Sequence, residues 1–164
     1  YECTKERFSR VFQDLEFEED RDNWDYVYLR EKLAALSGRK YHGQKNHYNA
    51  FKKAYPDFVY EPITEENKAE CLAFGEKWCD DRIDEDPTLI CEKYAMQQAF
   101  SNFEALELRG GAIRINGKIE AFSFGKKIND DTAVLHVEKA NGAIRGLYTA
   151  INKEFASHAW DDVT

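Results

Sequence analysis

The sequence predicts a mixed α/β (α+β) domain, and three observations carry that prediction. Two alternating runs flank Asn116-Gly117 within GGAIRINGKIEAFSFGKKI (110–128), the residue pair that a two-residue type I′ hairpin prefers. Ile144, Leu147, Tyr148, Ile151 and Phe155 recur at the steps of one helical face. From residue 58 onward the patterns run strand, helix, helix, strand, strand, strand, helix, so strands and helices belong to one unit.

Each element has its own signal. WDYVYL (24–29) alternates aromatic and other residues and reads as a strand. LREKLAAL (29–36) is a short helix stopped by Ser37-Gly38. Tyr41, Tyr48, Phe51 and Tyr55 make most of 39–55 helical, with Pro56 ending it. FVYEPIT (58–64) alternates as a strand. Thr64 followed by Glu65 and Glu66 reads as the N-cap of a helix over 65–81. DRIDEDP (81–87) is a polar connector, after which Leu89, Met96, Phe100 and Phe103 define another apolar helix face. Beyond the hairpin, Asn129-Asp130-Asp131 is a turn, TAVLHVEKA (132–140) a strand closed by Asn141-Gly142, and WDDVT (160–164) the start of a further strand.

Composition narrows the class. With 43% hydrophobic and 14% aromatic residues in 164, the chain has ample material for a packed core. No run approaches the ~20 apolar residues of a membrane span, and no leader pattern opens the chain, so a cytoplasmic location is expected. The first residue is Tyr1 rather than Met, which suggests a piece of a longer protein. Cys3, Cys71, Cys79 and Cys91 lack CxxC spacing and read as buried small hydrophobes in a reduced compartment.

Charge is unevenly spread. Residues 38–56 hold Arg39, Lys40, Lys45, Lys52 and Lys53 and no acid, which leaves −13 for the rest of a −8 chain. Either this is a solvated face whose lysines balance acids such as those of FEEDRDNWD (17–25), or it is a phosphate-holding patch. In the second case Arg39, Lys40, Lys45, Lys52 and Lys53 hold phosphates, while Tyr41, Tyr48, His42 and His47 stack on bases or bridge to phosphate. His42 and His47 are five apart, a poor spacing for one helical metal face, and no metal site is expected.

A strand that feeds a helix through a tight glycine turn presents free amides to an anion. Here that turn is Ala140 to Gly146, making Asn141, Gly142, Arg145 and Gly146 candidate ligands of a cofactor phosphate. Arg145 either clamps an anion or pairs with Glu138 or Asp130. Period two places Val134, His136 and Glu138 on one face of their strand. Glu138 or His136 can then serve as general base, or else be an edge-of-core charge and a hydrogen-bonded core histidine. Trp78 packs, and Asn152 is polar surface.

The stretches YLREKLAALSGRKYHGQKNHYNAF, EKWCDDR, LRGGAIRINGKIEAFSFG and DDTAVLHVEKA resemble a bacterial family of unknown function related to the C-terminal domain of phosphatidylglycerol lysyltransferase. The element order is similar to that of the GNAT acyltransferase fold. The resemblance implies a mixed, mainly antiparallel sheet flanked by helices in a tandem protein. Residues 1–57 would be the tail of a first GNAT-like unit with the basic junction, and 58–164 most of a second that lacks its final strands. It also implies acyl transfer, with aminoacyl-tRNA as donor and an amine, hydroxyl or lipid head group as acceptor, by direct attack without a covalent nucleophile. One departure matters: the Gln/Arg-x-x-Gly-x-Gly/Ala turn of acetyl-CoA users reads Ala143-Ile144-Arg145-Gly146-Leu147-Tyr148 here. That disfavours acetyl-CoA or another acyl-CoA as cofactor. It suits tRNA use, or a non-catalytic module that holds RNA or an anionic ligand.

Overall fold

The computed structural model describes residues 20–163 together with Arg10, Val11 and Glu18. Between residues 20 and 163, besides two short 3-10 turns, five α-helices and four strands follow in order: α1 (Arg30–Ala35), α2 (His42–Ala54), β1 (Val59–Pro62), α3 (Lys68–Asp80), α4 (Leu89–Ser101), β2 (Arg109–Ile115), β3 (Lys118–Lys127), β4 (Ala133–Ala140) and α5 (Leu147–His158). The strands form one antiparallel sheet in the order β1-β2-β3-β4, so the expected class holds.

The sheet is clothed on both faces. Ile113, Ala121 and Ala140 turn to one side, where Tyr48 and Phe51 of α2 and Leu147, Ala150 and Ile151 of α5 close the core. Ala112, Phe122 and Phe124 turn to the other, against Cys71 and Cys79 of α3 and Met96 and Phe100 of α4. Phe100 meets Phe122 and Phe124 edge-on at 5.6 and 5.4 Å, a geometry in which ring edges point at ring faces. Arg30 of α1 donates to the carbonyls of Ala156 (3.0 Å) and Ser157 (3.1 Å), closing the end of α5.

Three irregularities among the described residues shape the sheet, one of them a register shift at Ile113 and Arg114 where β3 carries the extra residue Glu120. Asn116 and Gly117 both take positive φ, 49° and 81°, as a type I′ turn requires. Farther along, Phe124 pairs with Val137 but Gly125 with Leu135, so β4 carries one extra residue, His136. The bulge brings β4 so near that a Cβ on Gly125 would lie 2.1 Å from the Val134 carbonyl oxygen. Glycine at 125 lets the bulge exist.

Several expectations are corrected. Residues 24–29 form no strand among the described residues, and Tyr26 and Val27 are 87% and 89% exposed; alternation supplied a strand pattern without a described edge to pair with. The helix expected from 65 starts at Lys68, because Thr64, Glu66 and Asn67 hydrogen-bond among themselves in a preceding turn. Residues 160–163 turn instead of starting a strand; Trp160 is buried against Phe155, and Asp162 takes a bidentate bond from Arg109 at 2.6 and 2.9 Å. Cys91 is exposed, unlike Cys71 and Cys79, and burial pushes the Cys71 thiol up to about 12. Cys3 lies outside the described residues. No helix among those residues is long and apolar enough to cross a membrane.

Candidate functional site

The site is built where β4 hands over to α5. Glu138 pairs across the sheet with Ser123, and its carboxylate accepts a bond from Asn152 Nδ2 at 3.1 Å. Burial beneath α5 pushes the Glu138 carboxyl up to about 7, with the Asn152 bond pulling the other way. Asn152 is therefore not mere polar surface: it is the partner that holds this acid. The bulge also breaks the expected period. Glu138 meets Asn152 of α5, Val137 packs on the opposite side with the α3 and α4 core, and His136 is the exposed extra residue.

The turn after β4 is held from within. Asn141 donates its backbone N–H to the Glu120 carbonyl and its side-chain amide to the Glu120 carboxylate, both at 2.8 Å. Its own Oδ1 accepts from the Ala143 N–H at 3.0 Å. Among the described residues the N–H groups of Gly142, Arg145 and Gly146 have no acceptor, Gly146 as the N-cap of α5 and the other two in the turn before it. Arg145 is exposed and pairs with neither Glu138 nor Asp130. Tyr148 stands 40% exposed in the first turn of α5.

The basic segment lies against this turn. Gly146 has φ +83°, and a Cβ there would sit 2.4 Å from the His47 carbonyl oxygen of α2. Two regions a hundred residues apart in sequence thus become one surface. Arg39, Lys40, His42, Lys45, His47, Lys52 and Lys53 are all exposed, and among the described residues none pairs with a carboxylate. Two of them lie over rings instead, Lys40 over Tyr41 at 5.0 Å and Lys52 over Tyr48 at 5.7 Å. Of the acids in 17–25, Glu18, Asp20, Asp22 and Asp25 lie among the described residues and Glu19 outside them.

The tyrosines are corrected in role. Tyr41 and Tyr48 are 2% and 9% exposed, so neither ring is free to stack on a base. They are apolar anchors of the basic helix, as their 7-residue spacing on one face dictates. Tyr48 donates a very short hydrogen bond to Glu154 of α5, and burial with that bond drives its hydroxyl well above the ordinary tyrosine range.

Residues not singled out from the sequence also matter. Glu154 is 8% exposed and accepts from Tyr48, with His158 Nε2 at 3.2 Å. The signal was a carboxylate set in the apolar stripe of α5, three residues after Ile151. His158 stacks on Tyr60 at 4.9 Å and borders an open groove of about 650 Å³ with Pro62, Leu108, Arg109 and Asp161. Trp78 packs as expected, donating to the Ala140 carbonyl at 3.1 Å, yet it also carries Lys139 at 3.8 Å and Arg82 at 4.1 Å over its ring. Arg82 follows Trp78 by four, the helical spacing that brings the two together.

An antiparallel α+β domain whose glycine turn, basic helix and shielded carboxylate converge is the class that fold and site define. The chain belongs to the phosphatidylglycerol lysyltransferase C-terminal family, whose sequence model matches residues 1–164. A solved structure from Bacteroides thetaiotaomicron VPI-5482, described as a conserved protein of unknown function, is 42% identical with a TM-score of 0.86. The likeness covers 94% of this chain and 53% of that one, so the chain spans about half the length of this relative. No curated protein matches the sequence.

Proposed function

We propose that the protein transfers an acyl group, aminoacyl from a charged tRNA, to an amine or hydroxyl acceptor. The reading stands on one observation: α2 packs on Gly146, which joins the segment of seven exposed basic side chains, unpaired with any carboxylate among the described residues, to a turn with free amides. A tRNA acceptor end would lay its phosphates along Lys45, Lys52 and Arg145 and bring its terminal ester toward Glu138. With a carboxyl held near neutrality, Glu138 takes a proton from the acceptor nitrogen or oxygen as that atom attacks the ester carbonyl. The developing oxyanion meets the free amides among Gly142, Arg145 and Gly146, and the ribose hydroxyl departs with the proton. Asn152 keeps the carboxylate aimed. On this reading the unit belongs to a tandem GNAT-like protein.

A second reading has its own support. The groove bordered by Ile63 and Phe103 and the groove bordered by Tyr60 and His158 both lie away from Glu138 and His136, and on this reading the domain is a module that binds RNA or an anionic ligand without catalysis.

The full polypeptide, mixed with bulk aminoacylated tRNA and a panel of amine and hydroxyl acceptors, tests both. Salt-sensitive tRNA binding that is lost in Lys45→Glu/Lys52→Glu, with turnover lost in Glu138→Gln, supports transfer. Binding that survives alongside zero turnover in the wild type supports the module. Binding of acyl-CoA without tRNA would overturn the donor assignment.

A further inference from the structure

The β4–α5 turn has a neighbour from the other side of the sheet. Arg82, just past the end of α3, lies over the Trp78 indole with its Cζ 4.1 Å from the ring centroid. One guanidinium nitrogen, Nη1, donates to the Trp78 carbonyl at 2.9 Å. The other, Nη2, points toward the turn: a Cβ built on Gly142 would meet it at 4.0 Å and nothing else nearer. Trp78 is itself pinned, by its Nε1 bond to Ala140 and by Lys139 on its ring, which is tied to Glu92 at 2.7 Å.

The carboxylates beside Arg82 in sequence are committed elsewhere. Asp81 pairs with Lys77, Asp80 with Lys93, and Asp86 accepts from Thr88. Asp84 and Glu85 form no ion pair with it. The result is a planar cation, fixed by stacking and one hydrogen bond, with a free fork edge over an exposed glycine. A guanidinium so held has already lost the rotamer freedom that an exposed arginine gives up on binding, and its geometry matches two phosphate oxygens.

We propose that Arg82 is a phosphate-binding residue of the β4–α5 turn, contributed by α3 across from the basic helix. The ligand class is a phosphodiester or pyrophosphate laid over Gly142. Trp78 is then a positioning residue, the shelf that aims the guanidinium. This rests on the reading that the turn meets phosphates, and it adds a clamp opposite α2.

The test uses the full polypeptide with two probes, bulk tRNA and inorganic pyrophosphate, and three variants: Arg82→Gln, Arg82→Lys and Lys45→Glu/Lys52→Glu. Arg82→Gln should weaken tRNA binding roughly tenfold at low salt and reduce the log–log salt slope by about one. Arg82→Lys should keep the slope but lose part of the affinity, because an ammonium lacks the planar fork. The Arg82 Nε–H resonance should move when pyrophosphate is added to the wild type, a response a purely structural arginine would not give. Unchanged affinity and slope in Arg82→Gln, with binding lost in the lysine double variant, overturns the inference and leaves the proposed function standing. If tRNA does not bind at all, that function falls and pyrophosphate decides: binding lost in Arg82→Gln supports the clamp, while no binding, or binding retained, overturns it.

Discussion

A β-carbon on Gly146 would lie 2.4 Å from the carbonyl oxygen of His47, closer than packed atoms come. Two requirements meet at that residue: the left-handed backbone that starts α5 and the close crossing of α2.

Gly146→Ala should therefore be doubly costly. The left-handed conformation alone costs about 1–2 kcal/mol, and the backbone clash adds to it. Gly117→Ala is the control, with φ +81° but open space around it. Thermal melts should show Gly146→Ala losing at least twice the stability of Gly117→Ala. Equal losses would mean that α2 moves aside freely and does not define the site.

Glu138 makes stability and activity depend on pH in opposite senses. Its carboxyl stands at about 7 in the fold, well above the ordinary carboxylate range. Below the unfolded pKa both states are protonated and burial carries no charge penalty. Between the two values the unfolded chain ionises first, so stability falls as pH rises and levels off above 7. The loss is on the order of 3 kcal/mol, and Glu138→Gln should abolish it in denaturant titrations between pH 4 and 8. Transfer activity should rise through the same window, because a general base must be ionised. A flat stability profile in the wild type would remove the carboxyl from this role.

Two buried tyrosines should respond oppositely to loss of their hydroxyls. Tyr48→Phe strips a partner from the buried Glu154 carboxylate and should cost about 1–3 kcal/mol. Tyr41 Oη is buried without a hydrogen-bond partner among the described residues, so Tyr41→Phe should be neutral or stabilising. Chemical denaturation of the two single variants checks both signs.

The bulge at His136 supplies a fourth test. Gly125→Ala would force its Cβ to within 2.1 Å of Val134 O, so the bulge must flatten or β4 must detach. A loss above about 2 kcal/mol is expected, with weakened hydrogen-exchange protection across β4. His136→Ala should leave both stability and transfer close to wild type, since that side chain is exposed on the extra residue. A large loss of transfer in His136→Ala would return it to the catalytic set.

The sequence by itself determined the local grammar. Asn116-Gly117 dictated its turn because few residues tolerate two successive positive φ values, and the α5 stripe dictated a buried face because periodicity is local. The charge-free-of-acid run at 38–56 was likewise visible in order. Only the tertiary structure decided what those pieces meet. His136 and Glu138 were parted by a bulge whose cause, Gly125, lies on another strand. Trp24 to Leu29 alternated like a strand but form none among the described residues. The crossing of His47 over Gly146, the shift of Glu138 toward neutrality and the Arg82–Trp78 shelf all depend on residues distant in sequence. Burial, desolvation and close approach are properties of the packed neighbours and cannot be read from spacing along one segment.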